Sequence, residues 1–265
     1  MRRAITISIV LLTSLVTALS AWQRRPRGFF EEDEPLVLPS DANEKTEYAF
    51  ARIRYPSVRA SGLWAMRGSW TVDYPKADRQ FVQGVRRLTR IHTRSVEQVV
   101  DLVSDDIFNY PWTYVVEAGH WDLPDSQARK LREFLDRGGF LMTDDFHGTY
   151  EWEIFTASLN RVIGNRPITD IDNNDPIFHV LYDLQERFQV PGIVMFSTGQ
   201  TWEYDGVEPK WRCVRDDKGR IIVAICHNMD LGDAWEWADH PQYPEKYASL
   251  AYRIGINYII YAMTH

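Results

Sequence analysis

Cysteine is scarce: Cys213 and Cys226 are the only thiols in 265 residues, so no disulfide framework holds this chain together. A basic excess is missing too. Thirty Lys and Arg face 37 Asp and Glu, for a net charge of -7. Removing Arg2 and Arg3 with a leader that carries no acid would take this to -9. Such a chain gains nothing from counterion release on phosphates, and no nucleic-acid partner is expected. There is no glycine-rich phosphate loop, and Ser197 lacks the flanking glycines of a nucleophile elbow. The run Asp170-Ile171-Asp172-Asn173-Asn174-Asp175 fails as an EF-hand, because Asp175 stands where glycine is required and Leu181 where Glu is required. It reads as a polar turn. The apolar stretch from Glu245 to Met263 is interrupted by Arg253 and Asn257, which favours a core-packed helix over a membrane segment.

What is present begins with a leader pattern. Met1-Arg2-Arg3 is a short basic start, Ala4 to Leu19 is almost wholly apolar, and Ala18-Leu19-Ser20-Ala21 offers small residues for cleavage. Arg24, Arg25 and Arg27 follow at once, and the apolar run sits at the lower limit of a membrane span, so an uncleaved anchor is the alternative. Both readings export the domain to the periplasm or to the outer face of the inner membrane, with membrane contact only through this segment. Residues 22–46 read as a flexible acidic linker, with Glu31-Glu32-Asp33-Glu34 solvated and Pro26, Pro35 and Pro39 breaking any helix. Residues 47–265 are enough for a single α/β domain.

Within that domain the periods alternate. Tyr48 to Tyr55 has strand composition and places Arg52 and Arg54 on one face. Asp73-Tyr74-Pro75 opens a helix with Phe81, Val85 and Leu88 at i, i+4 and i+7. Trp112 to Ala118 is a strand. Ala128, Leu131, Phe134 and Leu135 mark a helix beginning near Pro124 and stopped by Gly138-Gly139. Phe140 to Thr143 is a strand, and Glu151 to Val162 is helical. This alternation predicts a mainly parallel sheet covered by helices on both faces. Gly164 to about Lys210 loses its periodicity and reads as an elaboration. Trp211–Arg215 and Arg220–His227 form a hairpin around Asp216-Asp217-Lys218-Gly219. A tight turn there sets Cys213 opposite Ile222, too far from Cys226 for a disulfide unless a bulge shifts the register.

A resemblance adds to this pattern. Tyr48 to Tyr55, Asp73-Tyr74-Pro75 with Asp78, and Tyr110-Pro111 to Gly119 carry its first part. Gly138-Gly139-Phe140, Asp144-Asp145-Phe146-His147-Gly148, Glu151-Trp152 and the ending from Gly255-Ile256-Asn257-Tyr258 to His265 carry the rest. Together they resemble the bacterial domain-of-unknown-function family 4159 over nearly all of the mature chain. The resemblance implies a class I glutamine-amidotransferase-like scaffold, a flavodoxin-like three-layer sandwich, and supplies no mechanism. The nucleophile position of that scaffold reads Thr143-Asp144-Asp145-Phe146-His147-Gly148 here, without cysteine, which argues against thiol-based glutaminase chemistry.

Strand ends supply the candidate site, since open α/β sheets bind ligands at their carboxyl edge. Glu117 and His120 follow one strand, Asp144, Asp145 and His147 the next, Asp73 and Asp78 a helix start, and Asp230 the last strand, with Asp233 and Glu236 nearby. In one reading Asp145, His147 and Glu151, with His120, act catalytically, Asp145 and His147 holding a divalent metal that positions water. In another, Asp73, Asp78, Glu117, His120, Asp144 and Asp230 bind a ligand without chemistry. In a third, Asp145 caps the next helix, Asp144 pairs with Arg52 or Arg54, and His147 donates to a carbonyl. The aromatic content of 13% leaves Trp235 and Trp237 as a surface for carbohydrate or peptide. Binding of an envelope protein, glycan or small polar ligand is the expected function. The alternative is a metal-assisted or carboxylate-based hydrolase acting on an envelope polymer or small polar substrate.

Overall fold

Strands too apolar to alternate must be covered on both faces, and the computed structural model shows how. It describes residues 38–57 and 68–265; the leader pattern and the acidic run Glu31-Glu32-Asp33-Glu34 lie outside the described residues. Seven strands, β1 Ala51–Arg54, β2 Gln98–Asp101, β3 Trp112–Val115, β4 Phe140–Thr143, β5 Ile168–Asp170, β6 Lys210–Arg215 and β7 Ile221–His227, form one sheet in the order β2-β1-β3-β4-β7-β6-β5. The β2-β1-β3-β4-β7 portion is parallel, and β6 and β5 add antiparallel strands. Helices α1 Lys76–Leu88, α2 Asp125–Asp136, α3 Gly148–Ile163, α4 Met195–Thr198, α5 Leu231–Glu236 and α6 Glu245–Thr264 complete it. Phe81 and Val85 of α1, Trp235 of α5 and Ile254 and Tyr258 of α6 share one core, and Leu131 of α2 and Phe155 and Leu159 of α3 share the other. The fold is a flavodoxin-like three-layer α/β sandwich.

The chain leaves β1 for β2 on one side and then returns to β3 on the other, which makes the β1/β3 boundary the topological switch point. In open sheets that boundary is where a ligand crevice forms, here at the carboxyl ends of β1, β3, β4 and β7. Ser95 donates from both its backbone and its hydroxyl to Asp41, which ties the end of the expected tether to the domain.

Several expectations shift. Leu88 is 52% exposed, so the α1 stripe ends one turn earlier than its spacing suggests. The edge strand β2 has only Val99 and Val100 as apolar residues, too few to show as a strand in the sequence. In the hairpin, a turn one residue longer than expected sets Arg215 opposite Ile221 and a bulge between Val214 and Arg215 adds a second residue, so that Cys213 faces Ala224 and Trp211 faces Cys226. The expected Cys213–Ile222 pairing is therefore corrected by two residues. Both cysteines are free and buried. In α6, Asn257 is satisfied by the backbone N–H and C=O of Tyr182, both at 2.9 Å, and Arg253 binds Ser249 on the outer face. No helix among the described residues is long and apolar enough to cross a membrane.

Candidate functional site

Arg52 organises the entrance. Although it lies on β1 it is fully buried, binding Asp78 through Nε at 2.9 Å and through Nη2, while Nη1 donates to the carbonyls of Trp70 (3.1 Å) and Val72 (2.9 Å). Burial works to raise the Asp78 carboxyl and Arg52 works to lower it; the outcome, about 6, leaves it ionised at neutral pH. Asp78, one of the candidate ligand-binding residues, is thus occupied by Arg52. The same guanidinium fixes the loop that delivers Asp73 to the crevice.

Asp144 serves the opposite wall. Its Oδ2 accepts from Tyr114 Oη (3.1 Å), Leu231 N (2.8 Å) and Gly232 N (3.0 Å), clamping the start of α5 against the sheet. The expected pairing of Asp144 with Arg52 or Arg54 does not occur; Arg54 pairs with Asp101 instead. Oδ1 of Asp144 is buried without a hydrogen-bond partner. Burial, opposed by these donors, pushes the carboxyl up to about 7.

Between these walls, Asp73, Asp145 and Asp230 each present a ligand oxygen, all within 4.8 Å of one another. Asp73 also belongs to a second such group with Asp233 and Glu236. Among the described residues no Lys or Arg pairs with Asp73, Asp145 or Asp230, and Oδ2 of Asp73 is buried without any partner. Burial first, then the neighbouring carboxylates, raises Asp73, Asp145 and Asp230 well above the usual carboxylate range. Asp230 also caps α5, its Oδ1 accepting from Asp233 N at 2.7 Å. A Cβ on Gly232 would come within 2.4 Å of Oδ2 of Asp73, so a larger residue there would have to displace that carboxylate.

A second cluster adjoins the first. His120 Nδ1 lies 2.7 Å from Glu117 Oε2, and Nε2 lies 3.4 Å from Glu151 Oε1. Hydrogen bonds to Glu117 and Glu151 raise this imidazole to about 10, so it is an imidazolium at neutral pH. Glu151 also accepts from the backbone N–H of His147 at 2.6 Å. His147 precedes α3 and sets Nε2 3.3 Å from Asp145 Oδ1, while burial holds it down to about 4 and therefore neutral.

The side chains of His147 and Glu151 therefore do not form the expected joint pair, because Glu151 is occupied by His120 and a backbone amide. Asp145 is not the cap of α3: Asn228 Oδ1 accepts from Gly148 N and Asp205 Oδ1 from Thr149 N, both at 2.8 Å. Trp235 is fully buried in the core and offers no surface, while half-buried Trp237 donates to Asp233 at 3.1 Å and carries Lys76 over its ring.

Five non-glycine residues have left-handed backbones among the described residues, namely Asp73 (φ 60°), Glu117 (50°), Asp145 (54°), Tyr204 (49°) and Asn228 (64°). Four of them end or follow the strands and loop just described, and Tyr204 lies on the loop over α3. Each such conformation costs on the order of 1–3 kcal/mol, least for Asp and Asn, and its concentration at one edge directs attention to that edge. Glu203, on the same loop as Tyr204, is raised to about 7 by burial and by Glu117, Glu151 and Asp233. Neither Glu203 nor Tyr204 has a sequence signal, since a long aperiodic loop brings them in.

Asp73, Glu117, His120, Asp144, Asp145, His147, Glu151 and Asp230 thus gather at the carboxyl edge, and Asp78 turns away into its ion pair. The donor set of the Asp73 cluster is all oxygen, the chemistry of Ca²⁺, Mn²⁺ or Mg²⁺ rather than of thiolate-seeking metals. No curated protein matches the chain. The family model for a domain of unknown function, DUF4159, matches residues 49–263, which span the sheet, both helical layers and every residue of the crevice, and the chain belongs to that family.

Proposed function

We propose that the protein is an exported binding domain whose crevice holds a divalent cation on Asp73, Asp145 and Asp230, and that the cation is the docking point for a polar ligand. The single observation that supports this reading is the trio of carboxylates without a Lys or Arg partner among the described residues, Asp145 and Asp230 buried and Asp73 half-buried with its Oδ2 shut away from both solvent and donors. Uncompensated buried charge is costly and is relieved either by protons or by a bound cation. With all three oxygens within 4.8 Å of one another, a cation centred among them would sit no more than about 2.8 Å from each. That bound is compatible with the roughly 2.3–2.6 Å typical of Ca²⁺. The amidotransferase-like scaffold, with aspartate where a cysteine would stand, and the N-terminal leader pattern support a binding role outside the cytoplasm.

A second reading rests on His147. An imidazole held neutral beside Asp145 is a base at the edge of the cation position, the arrangement of metal-assisted hydrolysis. Metal content and thermal unfolding of the full chain test both. Ca²⁺ or Mn²⁺ at a hundred times its dissociation constant stabilises by about 2.7 kcal/mol, a rise of roughly 5–10 °C in Tm. Asp145→Asn is expected to abolish that rise. A His147→Ala variant that keeps the cation but loses hydrolysis of p-nitrophenyl esters selects the hydrolase; absence of ester hydrolysis in the native, cation-loaded chain selects binding. No cation uptake by the native chain refutes the proposal.

A further inference from the structure

We propose that the segment from Gly192 to Gly206 is a lid, which straps the crevice shut in this structure and lifts to admit a ligand to Asp145 and Asp230; this rests on the reading of the crevice as a binding site and not on the cation. Asp145, His147, Asp230 and Asp233 are each at most 8% exposed, so the groups offered to a ligand are hidden from it. Something over them must move. The two walls of the crevice differ in what holds them, and that difference picks out the strap.

The strap stands on two feet. At the first, Gly192 lies so close to the crevice that a Cβ there would meet Oδ2 of Asp230 at 2.5 Å and Oδ2 of Asp233 at 3.0 Å, and Ile193 N donates to Asp233 Oδ2. At the second, a Cβ on Gly206 would lie 2.5 Å from Oδ1 of Asn228 and 2.9 Å from the amide nitrogen of Gly148, and Asp205 accepts from Thr149 N at 2.8 Å. Asp145 and His147 come in the chain just before the second foot, and Asp145 offers an oxygen within 4.8 Å of one on Asp230 beside the first. A single buried side chain closes the base. Gln189 Nε2 donates to the carbonyls of Gly206 and Asn228, both at 2.8 Å, and its Oε1 accepts from Thr201 Oγ1 at 3.1 Å. This is the form of an Ω-loop, a compact surface loop whose ends are held together.

Between the feet the strap is lightly held. No residue from 193 to 205 is buried, and Ser197 to Gln200 are exposed. Of this stretch only Met195 and Phe196 pack against the core, the Phe196 ring lying 5.5 Å from that of His240 and 5.9 Å from that of Tyr243. Few buried apolar contacts mean a low free energy of local opening, the property that lids over binding sites require. The opposite wall is fixed, because fully buried Arg52 holds the carbonyls of Trp70 and Val72. The strap is therefore the wall that yields.

Carbodiimide labelling of the carboxyl groups of the full chain, read by mass spectrometry in EDTA, tests this without any cation. In the native chain Asp145 and Asp230 are expected to react about tenfold more slowly than exposed Asp125. Phe196→Ala removes the core anchor and Thr201→Val releases Gln189; each should speed the labelling of Asp145 and Asp230 about fivefold while fully buried Asp78 and Asp144 stay unlabelled. Native Asp145 and Asp230 that react as fast as Asp125, or rates that neither variant changes, overturn the lid. Labelling of Asp78 and Asp144 in step with Asp145 in both variants overturns it too, since the whole domain then opens. A repeat in Mn²⁺ separates the two readings: protection of Asp145 and Asp230 supports the cation, whereas the expected variant pattern with no protection refutes the cation and leaves the lid standing.

Discussion

Two carboxylate clusters stand side by side on the same sheet edge and solve the same electrostatic problem differently. Glu117 and Glu151 enclose His120, whose imidazolium bonds to both and supplies a resident positive charge. Asp73, Asp145 and Asp230 have no such group between them. The difference teaches that acid clusters are not equivalent as metal sites. A cluster that carries its own cation has its charge offset from within, whereas one that leaves a buried oxygen unmet does not, and the proposed cation would supply what it lacks. Arg52 with Asp78 provides a third, wholly internal pair that makes the contrast sharper.

The largest expected effect comes from removing a charge in the open cluster. Asp145→Asn keeps the side-chain shape and tolerates φ 54° as well as Asp does. It should weaken calcium at least a hundredfold, about 2.7 kcal/mol, while making the metal-free protein more stable, since it removes a repelled charge. Calorimetric titration and urea unfolding measure the two halves, and a variant that loses stability without cation would break the comparison. The closed cluster should answer with the opposite sign. His120→Gln leaves Glu117 and Glu151 facing each other and should cost about 1–2 kcal/mol in urea unfolding at neutral pH, after allowance for the partial exposure of His120.

Gly232→Ala sharpens the contrast through geometry alone. The added methyl collides with Oδ2 of Asp73 and should weaken calcium roughly tenfold while leaving the Glu117–His120–Glu151 cluster intact. Equal calcium affinity in this variant would mean that Asp73 is not a ligand.

The smallest effect is a pH dependence, and Asp144 beside the open cluster and His120 in the closed one give it the same sign. Asp144 has a folded value of about 7, above its ordinary 3.8, so stability assigned to its proton is present below about pH 4 and is lost as pH rises towards 7. His120, raised from 6.5 to about 10, contributes fully below pH 6.5 and loses that contribution as pH rises through 10. Metal-free protein should therefore lose stability in two stages between about pH 4 and 10. His120→Gln should flatten the upper stage and leave the lower one. Unfolding midpoints across pH check this.

Much of the scaffold was legible because it depends on local periodicity. The apolar run Phe140–Thr143 that stops at Asp144-Asp145 marks a strand end, and the stripes of α1, α2 and α3 mark helices on a parallel sheet. The site was legible as a set of strand-end acids and less so as a division of labour. Arg52 and Arg54 share a face of β1, yet only the structure shows that Arg52 is buried on Asp78 and Arg54 is exposed on Asp101. His147 and Glu151 have ligand-like spacing, but His147 lies before the helix and Glu151 turns to His120 and to a backbone amide. The hairpin register depended on a bulge at Val214/Arg215 that no turn residue announces. Glu203 and Tyr204 arrive from an aperiodic loop, where sequence distance carries no information about contact.

The most direct measurement is anomalous diffraction from a crystal of the full chain soaked in Mn²⁺. The account predicts one strong peak among the carboxylates of Asp73, Asp145 and Asp230, and none between Glu117 and Glu151, where His120 already sits. A peak that displaces His120, or no peak beside Asp145, would contradict it.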